Sequence, residues 1–361
     1  MKKWLKGLLL LPFVLILMVF AQYLYNEYQL NKVDRLYESK QLEETDLSTL
    51  QEVNRLKQNF GSQIWPGFKD ENIPVILFND RYEFLTLTDD IPDGWIRTGQ
   101  KLTDGRYCYR RKAEKPVAFA VQTDSLWAAS MSTLQYLNRD ILVNLRKEIP
   151  SPLNLLMPAQ MIIRTSDYHV AAIIHEMFHA FQALHNPQQF NRCNASSHLA
   201  DQYPYRDNQL NKLFTREGHF LQKALKADHM ARKREWCRKF LITREKRRKM
   251  LSGEIVEFEK HFEWLEGLAK YAEIHSYQLA LQHEEDMKLS YDEDLPYWET
   301  EMDKLNQLGQ VHGSTRFYLS GMAQARLLSQ VSDQWRHQLM INERYTEDLL
   351  DHWAGNTREN R

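Results

Sequence analysis

Asp167-Tyr-His-Val-Ala-Ala-Ile-Ile-His175-Glu176-Met-Phe-His179-Ala-Phe-Gln-Ala-Leu-His185 is the stretch on which the reading of this chain turns. It contains neither Pro nor Gly, and Ala171, Ile174, Phe178 and Phe181 recur at helical spacing. On a helix, two histidines four residues apart differ by one turn and about 40° around the axis. Both imidazoles therefore project from one face, where they can hold a single metal ion. Glu176, beside the first histidine, is placed to take a proton from water at such an ion. Only about 0.03 chance matches to His-Glu-x-x-His are expected in a chain of this make-up. Ala171, Ala172, Ile173 and Ile174 lead directly into the motif, so the histidines are expected to be buried. Buried polar groups need partners, and a metal ion supplies them.

The rest of the chain bounds the function more loosely. Its 361 residues suggest two domains or one large domain with insertions, and 43% hydrophobic residues give ample core. A net charge of −1, from 47 Lys+Arg against 48 Asp+Glu, gives no argument for a nucleic-acid partner. Neither a GxGxxG nor a GxxxxGK[ST] loop occurs. Cys108, Cys193 and Cys237 are too few for a disulfide scaffold. Cys193 with Cys237 is the candidate bridge in an oxidising compartment, and Cys108 reads as a small core residue.

Lys2, Lys3 and Lys6 precede Leu8 to Ala21, which is apolar except for Pro12, and Tyr23, Tyr25 and Tyr28 follow. This order leads one to expect an N-terminal transmembrane helix with a cytoplasmic N-terminus and the rest of the chain extracytoplasmic. A signal peptide cleaved after Val19-Phe20-Ala21 is the alternative. Residues 1–25 form that tip and anchor, and 26–63 a helical spacer with Leu30, Val33, Leu36, Leu47, Leu50, Val53 and Leu56. Residues 64–165 form a small β-containing subdomain, with strands at Pro74–Phe78, Tyr82–Thr88 and Pro116–Gln122 and a helix over Ala128–Lys147. Residues 166–345 form a helical catalytic domain with an inserted helical stretch at about 192–259, and 346–361 a polar tail. No proline falls between Tyr205 and Leu295, and the Lys/Arg-rich part of that stretch reads as a solvated helix face.

A catalytic zinc site takes three protein ligands and keeps one position open. His185 lies ten residues after His175, the spacing of the metzincin pattern HExxHxxGxxH, but Gln182 stands where that pattern has its turning glycine. If the helix continues to Leu184, His185 lies about 9 Å beyond His179 along the axis and cannot reach the same ion. Asn186-Pro187 is the natural stop. Downstream, Glu266 and Glu273 are seven residues apart and share a helix face, while Gly267 and Ala269 let a second helix approach closely. One carboxylate could bind metal while the other accepts the ring N–H of a ligand histidine. The plain alternative is two surface carboxylates on a charged helix.

HExxH followed by Trp264-Leu-Glu266-Gly267-Leu-Ala269-Lys-Tyr271-Ala-Glu273 resembles the gluzincin metallopeptidases, above all their aminopeptidase-N-like branch, whose helix reads W-L-N-E-G-F-A-x-Y-x-E. The resemblance covers Tyr168 to about Leu328. It implies an α+β, mostly helical zincin-like domain, here with a small N-terminal sheet region and the N-terminal transmembrane helix. It implies Zn2+ held by His175, His179 and Glu266, with Glu273 behind a ligand histidine and Glu176 as general base. Tyr318, in Arg316-Phe-Tyr318-Leu-Ser-Gly321, takes the place of the tyrosine that stabilises the oxyanion in that family. His312 is a weaker candidate for this task, by similarity to thermolysin-like enzymes. The asparagine before the ligand glutamate is missing, the 87 residues from His179 to Glu266 far exceed the family's gap, and the exopeptidase motif GxMEN is absent. The expected function is a membrane-anchored zinc metallopeptidase acting on peptides or proteins, without a nucleic-acid partner. The rival is an exported zinc-binding envelope protein without peptidase activity.

Overall fold

Four consecutive buried residues, Val75–Phe78, form strand β1. The Asn79 side-chain oxygen then accepts the backbone N–H groups of Arg81 and Tyr82, closing a tight turn into β2 (Tyr82–Thr86). In the computed structural model, which describes residues 2–36, 39–124, 126–149, 162–291, 297–341 and 343–355, four more strands follow. These are β3 (Ile96–Lys101), β4 (Tyr107–Lys112), β5 (Phe119–Thr123) and β6 (Leu126–Ser132). Together they make one mixed sheet in the order β3-β4-β2-β1-β6-β5. β1 and β2 are antiparallel with Ile76 opposite Leu85, and β2 and β4 are antiparallel with Phe84 opposite Arg110.

The strands expected at Pro74–Phe78, Tyr82–Thr88 and Pro116–Gln122 correspond to β1, β2 and β5. The helix expected from Ala128 begins later. Ala128–Ser132 belong to β6, and the Thr133 hydroxyl accepts the Tyr136 N–H to cap α3 (Leu134–Glu148).

Helices dominate the remainder: α1 (Lys2–Leu36), α2 (Glu44–Ile64), α4 (Ser166–His185), α5 (Pro187–Ala195), α6 (Asn208–Lys226), α7 (Met230–Arg248) and α8 (Gly253–Phe262). A π-helical turn, Glu263–Gly267, leads into α9 (Leu268–Gln282). α10 (Tyr297–Lys304), α11 (Thr315–Val331), α12 (Trp335–Ile341) and α13 (Thr346–Ala354) complete the described chain.

The fold is therefore a mostly helical chain with one six-stranded mixed sheet, and the expected transmembrane helix is a correction. Among the described residues no helix is long and apolar enough to cross a membrane. In α1 the apolar run Leu8–Ala21 contains Pro12 and ends at Gln22, and Asn26, Glu27 and Gln29 follow. A span takes about 20 such residues. The single-pass topology and the extracytoplasmic placement that rested on this helix are withdrawn with it. The expected bridge is also absent: Cys108, Cys193 and Cys237 are all buried free thiols.

Two compact units divide the chain. The first comprises Met1–Gln51, Pro74–Ala118 and Ser130–Val170. In it the buried Asp46 carboxyl accepts the Leu134 N–H at the start of α3, and Asn138 pairs with both backbone groups of Arg164. Burial raises the Asp46 pKa to about 7, against the lowering effect of the Leu134 and Glu43 N–H groups. The folded value lies above the ordinary 3.8, so the contribution of Asp46 is full below that pH and is lost as pH rises through about 7. Asp46→Asn keeps an acceptor without the charge. It is expected to melt higher than wild type at pH 8 and to lose that advantage at pH 4, and equal shifts in the two thermal melts would contradict this.

The second unit comprises Glu52–Ile73, Phe119–Ala129 and Ala171–Arg361. Its aromatic core forms around Trp65, which meets Phe178 at 5.0 Å and Trp335 at 5.1 Å between ring centroids, while Phe68 packs on Phe181. Phe178 and Phe181 lie on α4, so this core holds one side of the helix that carries the His175–His179 pair.

Candidate metal centre

α4 brings His175 and His179 to one face, with ring centroids 4.8 Å apart. The Nε2 atoms of both rings lie 3.3 Å from the same Glu266 oxygen, Oε2. All three residues are buried, and their ligand atoms fall within 4.8 Å of one another. Behind them, His175 Nδ1 lies 3.0 Å from Glu273 Oε2, and His179 Nδ1 lies 2.9 Å from Gln182 Oε1. Carboxylate and carboxamide oxygens accept, so each Nδ1 carries the donated proton. That leaves each Nε2, the atom facing Glu266, as the one that could ligate a metal. The three side chains are grouped as ligands of one metal ion could be.

Without an ion, the charges of the cluster compensate one another. Burial alone would lower the His175 pKa, yet the hydrogen bonds of Glu266 and Glu273 raise it to about 10. Burial would raise the Glu266 pKa, yet His179 and His175 hold it well below the usual carboxylate range. Two imidazoles and one carboxylate suit a zinc ion and leave a coordination position open, so the residues fit the metal.

Glu176 stands beside this cluster with its Oε2 buried and without a hydrogen-bond partner. Burial raises its pKa, opposed by His175 and His179. The Tyr318 ring stacks on His175 at 6.0 Å and 15°. Burial, followed by the charge of Glu266 and a hydrogen bond with it, raises the phenol's pKa and keeps it a proton donor.

Backbone contact sets this geometry. A Cβ on Gly267 would lie 2.5 Å from Gly321 Cα, and one on Gly321 would lie 2.4 Å from the Glu263 carbonyl. Only glycines permit that crossing, which brings Tyr318, one turn before Gly321, to the turn bearing Glu266. Glu263, at the start of the π-helical turn, accepts Nη1 and Nη2 of Arg244 at 2.7 and 2.6 Å, the Ser320 hydroxyl at 2.6 Å and the Gln324 amide at 2.9 Å. The turn is thus fastened to α7 and α11.

His185 does not join the cluster. α4 continues to it, its Nε2 bonds Glu71 at 2.9 Å, and Asn186 caps α5 with Pro187 in the first turn. His312 lines a separate cavity of about 990 Å3 with Tyr205, Lys212 and Arg316, away from every residue of the cluster. Sequence reasoning missed Gln182 and Phe119, whose ring lies 4.7 Å from that of His179. Gln182 was within reach, because a residue three positions after His179 neighbours it on a helix. No family model, curated protein or solved structure matches the chain.

Proposed function

We propose that this chain is a zinc-dependent peptide hydrolase of the gluzincin kind. The observation that carries the reading is the convergence of the His175, His179 and Glu266 ligand atoms beside a Glu176 oxygen that has no other partner. His175, His179 and Glu266 would hold the zinc ion, which would supply Lewis acidity towards a carbonyl and a water. Glu176 Oε2 accepts the proton of the attacking water and returns it to the leaving amine. Tyr318 donates its hydroxyl to the carbonyl oxygen as charge develops there. Glu273 and Gln182 keep the protons of the two histidines on Nδ1.

A peptide is favoured as substrate by β5. It is the last strand of the sheet order, and it carries Phe119 beside His179. An end strand offers a row of backbone donors and acceptors to an extended chain. The second reading, a zinc-binding protein without peptidase activity, is disfavoured by the same Glu176, since a site that only holds metal has no use for a base.

Metal analysis with peptide-library cleavage tests the proposal on wild type, Glu266→Ala and His185→Ala. Glu266→Ala is expected to lose both zinc and cleavage, and His185→Ala to keep both. Loss of zinc on His185→Ala alone would overturn the ligand set. Zinc uptake by wild type without cleavage of any peptide would favour the second reading.

A further inference from the structure

We propose that Gln182 is a positioning residue that selects the ligating atom of His179 and ties it to the turn bearing Glu266. The inference rests on the metal-site reading above and adds a residue to which the gluzincin resemblance gives no role. The Gln182 side chain is fully buried. Its Nε2 lies 2.8 Å from the Trp264 carbonyl and 3.2 Å from the Leu265 carbonyl. Carbonyl oxygens only accept, so the amide NH2 must face them; the flipped amide would set an oxygen against two oxygens. With the NH2 so committed, Oε1 faces His179 Nδ1 at 2.9 Å and can only accept. His179 therefore carries a proton on Nδ1, which leaves Nε2, the atom facing Glu266, as the one that would ligate the metal.

The two carbonyls make this more than tautomer control. Trp264 and Leu265 immediately precede Glu266 inside the π-helical turn, where the backbone ladder widens to i→i+5 bonds. A single carboxamide on α4 thus fixes the second histidine and anchors the turn that presents the third ligand, 84 positions on from Gln182. His175 is supported differently, by the carboxylate of Glu273.

The test compares the full chain with two variants. Gln182→Met keeps the bulk and removes both polar groups, and Gln182→Asn keeps both groups on a stem one methylene shorter. Zinc affinity is read by competition with a chromophoric chelator, and ligand geometry by the visible spectrum of the Co2+-loaded protein. Both variants are expected to bind zinc about 10–100-fold more weakly and to give altered Co2+ spectra. A role in packing alone would lower the melting temperature and leave the zinc affinity and Co2+ spectrum of the folded protein unchanged, and that result overturns the inference. Either variant, if folded by circular dichroism, decides it. Wild type that takes up neither ion would overturn the metal centre and this inference together. Normal wild-type uptake with unchanged variants would overturn the inference alone.

Discussion

Glu176→Gln is expected to take up zinc as wild type does and to hydrolyse peptides about 10²–10⁴-fold more slowly, the usual contribution of a positioned general base. The substitution is isosteric, and the amide cannot take a proton from water. No structural hydrogen bond is lost at Oε2, which has no partner. The ligand atoms of His175, His179 and Glu266 belong to other side chains, so metal content is expected to stay at the wild-type level. Cleavage of a peptide library at matched zinc content is the measurement, and full activity in the variant would end the role assigned to Glu176.

Arg247→Ala is expected to lower the folding free energy by about 3–5 kcal/mol, the range for breaking a buried ion pair from one side. Arg247 is fully buried; it donates Nε to Glu217 at 2.5 Å, Nη2 to Glu259 at 3.1 Å and Nη1 to Glu259 and the Tyr203 hydroxyl. Among the described residues, its removal leaves Glu217 in an ion pair with Arg244 and Glu259 in one with Arg248. Burial would raise the Glu259 pKa, yet Arg247 and Arg248 hold it at about 2, below the ordinary 4.5. A depressed carboxylate stabilises the fold above the ordinary value and loses that contribution as pH falls towards the folded one. The gap between wild type and variant should therefore be widest above pH 4.5 and narrow below it. Denaturant unfolding at pH 7 and pH 3 reads both, and a gap that is the same at the two values would contradict this account.

The local parts of the site were legible in the sequence. His175 and His179 are bound to one helix face by spacing alone, with Glu176 next to the first, and Asn186-Pro187 marked the end of that helix. Gly267 signalled a close crossing, though only the fold shows that its counterpart is Gly321. Gln182 drew notice as a missing glycine, because its partners, the Trp264 and Leu265 carbonyls, are far along the chain and leave no mark on side-chain type. The π-helical turn was equally hidden, since hydrophobic periodicity does not register one widened turn.

The sheet was harder to read. β3 (Ile-Arg-Thr-Gly-Gln-Lys) and β4 (Tyr-Cys-Tyr-Arg-Arg-Lys) lack apolar alternation, because Arg97 and Lys101 lie on the ring of Tyr107 where apolar neighbours would otherwise signal a strand. Ala128-Ala129 suggested a helix, and pairing in the sheet overrode that propensity. The N-terminal apolar run with its flanking lysines and tyrosines suggested a span, but no helix among the described residues is long and apolar enough to make one.

His175 and Glu266 are 91 residues apart in the chain, and this separation has a consequence for how the protein is made. Bringing such distant residues together closes a long loop, and the entropy of closure must be met before the contact rewards it. α6, α7 and α8 all lie inside that loop. Before that closure, the proposed site would offer an ion just the histidine pair on α4. On the proposed ligand set, Glu266 would complete the site only after the intervening helices have docked. Zinc is thus expected to act as the last fastener of the assembled unit and not as its nucleus.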